Sequence, residues 1–227
     1  MYLSKLDLNT GNSGVYRLLA DVYSQHRFVM TAFPDFLASS TSHQGAQSAG
    51  NILYRTETTS DRRGVSILVQ SGEEPNWDKT NDVHPDSIRF CNQKEDSRVF
   101  SNGDNLRFRL RANPTVCRVN RDSEGNRNPK RVGLYKEEEQ LEWLSRIGER
   151  HGFSVNLQAV LVTDLNKKDG YKPAGETGSQ KQSIKCYMVD YDGKLTVTDA
   201  EALHRALQHG IGRGKAWGCG LLSLAKA

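Results

Sequence analysis

The chain has 227 residues, 26% of them charged, with a formal net charge of +4 at pH 7. That length suits one large domain or two small ones, and no apolar run approaches the roughly 18 residues of a membrane-crossing helix. The opening residues lack a signal peptide's basic-then-apolar layout, and Cys91, Cys117, Cys186 and Cys219 form no CxxC pair, with no histidine at ligand spacing. These features argue against a zinc site or a disulfide framework and describe a reduced, cytoplasmic protein that needs no metal or cofactor.

In chain order, "MYLSKLDL" alternates as an opening strand. From Val15 to Phe33 the apolar positions Val15, Leu18, Leu19, Val22, Val29 and Phe33 keep a helical period, unless Asp21 caps a second, shorter helix. "NILYRTET" and "GVSILVQS" read as two strands joined by a polar turn around Asp61 to Gly64. Residues 72–100 give only short strand candidates such as "SIRFC".

"DNLRFRLRANPTV" alternates strictly, with Arg107, Arg109 and Arg111 on one face and Leu106, Phe108 and Leu110 on the other. Around it, residues 105–135 hold eight cations (Arg107, Arg109, Arg111, Arg118, Arg121, Arg127, Lys130, Arg131) against Asp122 and Glu124. Such segregation points to a polyanionic partner, the alternative being a solvated loop. "KEEEQLEWLSRIGERHG" has acids in its first turn, Arg150 and His151 in its last, and Gly152 as its stop, so it reads as a helix. There follow the strand "FSVNLQAVLVTD", a basic connection from Lys167 to Lys181, and the strands of a final hairpin, "IKCYMVDYDGKLTV". Thr198 and Glu201 suggest a capping box for "TDAEALHRALQHG", and a last strand, "CGLLSLA", ends the chain. The order β-α-β-β-α-β is ferredoxin-like. With the first half as a looser copy, the expected class is α+β, two tandem ferredoxin-like (RRM-like) domains at 1–100 and 101–227.

Between the last helix and strand lies "HGIGRGKAWGCG", with Gly210, Gly212, Gly214, Gly218 and Gly220. A nucleotide-phosphate loop has the opposite order, strand first, with its glycines at a helix N-terminus. Nucleotide binding is therefore the wrong reading. A segment with few side chains can approach another backbone closely and let Arg213 and Lys215 reach phosphates; a tight structural turn is the plain alternative.

"HGIGRGKAWGCGLLSLA", together with "MYLSKLDLN", "YSQHR" at 23–27 and "LRFRLRANPT" at 106–115, resembles the CasE family, the precursor-crRNA endoribonuclease of the type I-E Cascade complex. The resemblance spans the chain apart from 72–100. It implies metal-independent cleavage on the 3′ side of a CRISPR repeat stem-loop. A ribose 2′-hydroxyl attacks the adjacent phosphate, leaving a 2′,3′-cyclic phosphate and a 5′-hydroxyl. It also implies retention of the RNA and assembly with other Cascade subunits.

On that resemblance His26 is the candidate catalytic residue, since imidazole exchanges protons near neutral pH. Read without it, His26 would be an ordinary helix histidine beside Val15 and Val22. Tyr23, one turn earlier, is assigned to positioning, with proton transfer open. Arg27 is a candidate for stabilising phosphate charge. Candidate RNA-binding residues are Arg107, Arg109, Arg111, Arg118, Arg121, Lys130 and Arg131, and in the glycine segment Gly212, Arg213, Gly214, Lys215 and Gly218. Arg107, Arg109 and Arg111 have cross-strand ion pairing as their alternative. Lys167 and Lys168, with Lys172 and Lys181, match the basic element that the family sets against the RNA stem. Two competing readings stay open: a non-cleaving RNA-binding subunit, and a small-molecule enzyme of the same fold.

Overall fold

Alternation decides the first strand. In β1 (Tyr2–Leu8), Ser4, Leu6 and Leu8 are buried, while Lys5 is exposed on the opposite face. The computed structural model describes residues 1–34, 51–58, 64–121, 127–172 and 182–226, with side chains except within 120–127 and 166–185. In the first sheet β1 lies between β3 (Val65–Ser71) and β4 (Ile88–Glu95), and β2 (Leu53–Thr58) pairs outside β3, all antiparallel. The second sheet runs β11 (Leu222–Lys226), β5 (Asn105–Ala112), β10 (Gln182–Val197), β8 (Phe153–Val155), and β9 (Leu161–Lys172) also pairs with β10. In both sheets the last strand flanks the first, which pairs with the third, and the third with the second. That is the ferredoxin-like order. His43, Asp61, Asp122, Glu124 and Lys181 lie outside the described residues.

The Val15–Phe33 run forms two helices, α1 (Ser13–Ala20) and α2 (Val22–Met30). Asp21 divides them: its backbone is extended, and its carboxylate accepts both the Ser24 N–H and hydroxyl at 2.8 Å. Residues 72–100 hold a helix that the sequence reading missed, α3 (Trp77–Val83). Asn76 caps it by accepting from the Lys79 N–H, and the buried Trp77 indole donates to the Ser4 hydroxyl at 3.0 Å.

The second half departs from expectation at four places. The arginine strand stops at Ala112 because Pro114 has no N–H for a ladder. The chain then forms a hairpin of β6 (Thr115–Arg121) and β7 (Arg127–Gly133) where the alternative reading had a loop. "FSVNLQAVLVTD" is two strands, because Asn156 caps a short 3-10 turn at Leu157–Ala159, and β9 then continues to Lys172. "IKCYMVDYDGKLTV" lies within one strand of 16 residues. Its Gly193 pairs with Phe108 and makes no turn; a Cβ there would sit 3.2 Å from the Phe108 ring. Finally Asp199, not Thr198, caps α5 (Ala200–His209), accepting from the Ala202 N–H at 3.0 Å. The helix read at "KEEEQLEWLSRIGERHG" is α4 (Glu137–Arg150).

Each sheet carries its own apolar core. Leu6, Val15, Phe28 and Ile67 centre the first; Leu110, Leu144, Phe153 and Leu203 centre the second. A small third cluster of Val22, Cys186, Met188 and Cys219, joined by Leu165 and Trp217, sits between the halves. The halves are also pinned by Arg55, whose side chain is 1% exposed. It pairs with Glu57 at 2.8 Å and donates to the carbonyls of Leu221 and Arg109 and to the Ser223 hydroxyl. Gln70 also donates to the Leu207 carbonyl. Among the described residues no helix is long and apolar enough to cross a membrane.

Candidate functional site

α2 buries Val22, Phe28, Val29 and Met30. That leaves Tyr23 and His26 half-buried on a flank facing the second half, and Arg27 exposed beside them. The helix is held there by Gln25, which donates to the Leu19 carbonyl at 3.1 Å and accepts from the Thr56 hydroxyl at 2.8 Å. The Thr56 carbonyl in turn accepts from Arg111 at 2.7 Å, so α2 is tied through β2 to the second sheet.

The glycine segment comes down on this flank. A 3-10 turn at Lys215–Trp217 is bounded by Gly214 at φ 79° and Gly218 at φ 83°, left-handed conformations that favour glycine. The turn is fastened by the buried Tyr54, whose hydroxyl donates to the Ala216 carbonyl at 2.9 Å. Burial pushes that phenol's pKa well up, with Cys219, Cys186 and Asp21 adding to the shift, so Tyr54 stays a neutral donor. Trp217 then lies against both α2 side chains. Its ring centroid is 6.0 Å from His26, edge-on at 68°, and 6.4 Å from Tyr23. An imidazole, a phenol and an indole from two distant stretches of chain are thus gathered at one junction. Arg27's charge is felt on its other side, where it adds to burial in lowering the His84 pKa.

The cations divide into two kinds. Arg109 and Arg111 stand directly across from Asp192 and Asp190 in the β5–β10 register. They bond them at 2.6 Å and at 2.7 and 2.8 Å, and the Arg111 side chain is only 14% exposed. For these two the cross-strand ion pair, the alternative in the sequence, is what the fold contains. Arg107 donates to the Lys226 carbonyl at the sheet edge. The hairpin cations are open: Lys130 is exposed, Arg131 is exposed and reaches the Thr115 hydroxyl at 3.3 Å, and Arg118 makes an exposed pair with Glu139 at 3.2 Å. Arg121 ends β6, paired in register with Arg127. Lys167 and Lys168 lie on β9 opposite Tyr187 and Cys186. In the glycine segment, Gly212 backs onto the Trp143 ring, Arg213 is exposed and bridges Asn113, and burial lowers the pKa of half-buried Lys215. Among the described residues no three His, Cys, Asp or Glu side chains are grouped to hold a metal ion.

A family profile described as "CRISPR associated protein" matches residues 1–226. The chain belongs to that family. Within it, the chain is 30% identical over 235 residues to the CRISPR-associated endoribonuclease Cse3 of Thermus thermophilus, covering 99% of this chain and 100% of that one. It is 32% identical over 230 residues to the CRISPR system Cascade subunit CasE of Escherichia coli, covering 99% of both. A solved structure of Cse3 bound to 19 nt RNA superposes with a TM-score of 0.74 at 30% identity, covering 99% and 100% of the two chains. A Cse3 complex with an RNA representing a pre-cleavage state gives 0.72 at 29% identity, covering 99% and 98%.

For a CRISPR-associated chain of this fold, the sequence reading found the helix flank and the glycine segment but missed what joins them. Trp217 stood in plain view inside "KAWGCG", the one large apolar residue among bare positions. Tyr54, Gln25 and Thr56 carried no signal, because their roles depend on contacts between distant segments.

Proposed function

We propose that the protein is a metal-independent endoribonuclease that binds the CRISPR repeat stem-loop and cuts precursor crRNA on its 3′ side. The observation that carries this reading is the junction where His26 and Tyr23 meet Trp217 of the glycine segment. RNA cleavage by its own 2′-hydroxyl needs in-line placement, proton transfer and stabilisation of a phosphorane-like charge. His26 supplies the proton transfer, either taking the 2′-hydroxyl proton or giving one to the leaving 5′-oxygen, a contribution worth about 10²–10⁴-fold. Tyr23 orients the phosphate by hydrogen bonding. Arg27, exposed beside them, offsets the developing negative charge. The attack leaves a 2′,3′-cyclic phosphate and a 5′-hydroxyl, so atoms and protons balance without water in this step.

Residues 1–100 are read as the domain that carries the reacting groups, and 101–227 as the one that brings the glycine loop. The exposed hairpin cations, Arg213 and the β9 lysines follow the RNA backbone. In A-form RNA, shape and phosphate contacts dominate recognition. The protein keeps its product, works in the cytoplasm and assembles with other Cascade subunits. Incubation with repeat RNA in EDTA tests the reading. Cleavage to a 2′,3′-cyclic phosphate is expected; binding with the RNA left intact would make the protein a non-cleaving subunit instead.

A further inference from the structure

Tyr135, in the loop between β7 and α4, is 67% exposed. Yet its ring is firmly backed. It folds over Gly133, where a Cβ would come within 3.2 Å of it, and meets Tyr187 in a T-shaped contact, centroids 4.7 Å apart at 66°. Tyr187 is itself fixed: its hydroxyl donates to Asp164 and accepts from the Gln140 amide, which also donates to the Leu134 carbonyl. Burial and the Asp164 contact push the Tyr187 phenol up to about 12, so it remains a neutral anchor. Tyr135 is therefore a preorganised ring with a free surface toward water, and aromatic surface held that way suits a flat partner.

The hairpin beside it supplies positive charge. Arg131 lies two residues before Gly133 on the exposed hairpin, and Lys167 sits opposite Tyr187 in the β9–β10 register. On the other side Cys186 accepts from Asn113 at 3.4 Å, and Asn113 bridges Arg213 of the glycine segment. A Cβ on Gly214 would sit 3.3 Å from the Cys186 sulfur, so this side of β10 lies directly beneath the loop that presses Trp217 on His26. Cys186 and Tyr187 are successive residues of one strand and face opposite sides of the sheet, so Tyr135 stands beside the basic hairpin on the face away from the candidate site, where a flat partner would also carry phosphates.

We propose that the Tyr135 ring is a stacking platform for one base of the bound RNA, holding the strand beside the basic hairpin. The proposal rests on the endoribonuclease reading. Every base has a π-face, and one such stack is worth about tenfold or more in affinity.

The test uses repeat RNA carrying 2-aminopurine at single positions in and around the stem, with wild type, Tyr135→Leu, Tyr135→Phe and Tyr135→Trp. Wild type should quench the probe at one position. Tyr135→Leu should lose that quench and bind about tenfold more weakly, while the salt dependence stays unchanged because no cation is removed. Tyr135→Phe should keep both quench and affinity, and Tyr135→Trp should deepen the quench at the same position even if the leucine variant folds poorly. Identical fluorescence for all four proteins at every position, or a phenylalanine variant as weak as the leucine one, would overturn the stacking role alone. Failure of wild type to bind repeat RNA would overturn the reading beneath it.

Discussion

The His26 imidazole stands edge-on to the Trp217 indole, with ring centroids 6.0 Å apart. One ring comes from α2 and the other from the glycine segment near the far end of the chain, so the position of His26 depends on how the halves dock. Trp217→Ala should slow repeat-RNA cleavage on the order of 100-fold, the cost of a small misplacement of a reacting group, with much less effect on affinity. Trp217→Phe should recover most of the rate. Single-turnover rates beside filter-binding constants check this; an alanine variant cutting at the wild-type rate would mean that the indole positions nothing.

The loop that presents Trp217 requires left-handed backbone at both its ends, Gly214 at φ 79° and Gly218 at φ 83°. An L-residue there costs about 1–2 kcal/mol, whereas the space beside Gly218 is ordinary, with a Cβ 3.4 Å from the Tyr54 ring. Gly218→Ala should therefore lower stability by about that amount through backbone strain, and slow cleavage with it. Urea unfolding gives the answer, and unchanged stability together with full activity would refute it.

Much of the fold was legible because it depends on local pattern. The alternation of β1 and β5, the acids opening α4 and the capping Asp21 all act within a few residues. The failures have two causes, contacts between distant segments and one local cap that the strand pattern hides. Gly193 is needed for packing against Phe108 and makes no turn, and the 3-10 turn after β8 arises from one asparagine. The missed α3 is anchored by Trp77 reaching across to Ser4. At the site, the helix flank and the glycines were readable, but Trp217, Tyr54 and the partners of the arginines are facts of docking that no short stretch displays.

Arg109 and Arg111 share the basic stretch with the hairpin but not its surroundings. Because they are paired with Asp192 and Asp190, Arg111→Gln should mainly loosen the sheet and leave the salt dependence of RNA binding intact. Replacing Arg118, Lys130 and Arg131 by glutamine should instead flatten the log–log salt slope by about two to three units, near 0.7–0.9 for each phosphate that is no longer neutralised. Affinity measured across a salt series separates the two groups. A triple hairpin variant with the wild-type slope would show those cations to be merely solvated.

Arg55 links both halves while its side chain is 1% exposed. Removing one partner of a buried ion pair typically costs about 3–5 kcal/mol. Here the lower end is expected, since Glu57 keeps Arg109 at 3.3 Å. Arg55→Ala should therefore lose about 3 kcal/mol, read from the denaturant midpoint; a loss below about 1 kcal/mol would place it with surface pairs.

In the proposed mechanism His26 transfers a proton in a metal-independent attack by the RNA's own 2′-hydroxyl. The most direct measurement is the single-turnover cleavage rate of His26→Ala against wild type, in EDTA, with repeat-RNA affinity measured in parallel. The rate should be at least about 100-fold lower, within the usual range for a general acid or base, at nearly unchanged affinity. Wild type should not cleave when the attacking 2′-hydroxyl is replaced by hydrogen. A His26→Ala protein that cuts at the wild-type rate, or a wild type that cuts the 2′-deoxy substrate at the same bond, would contradict it.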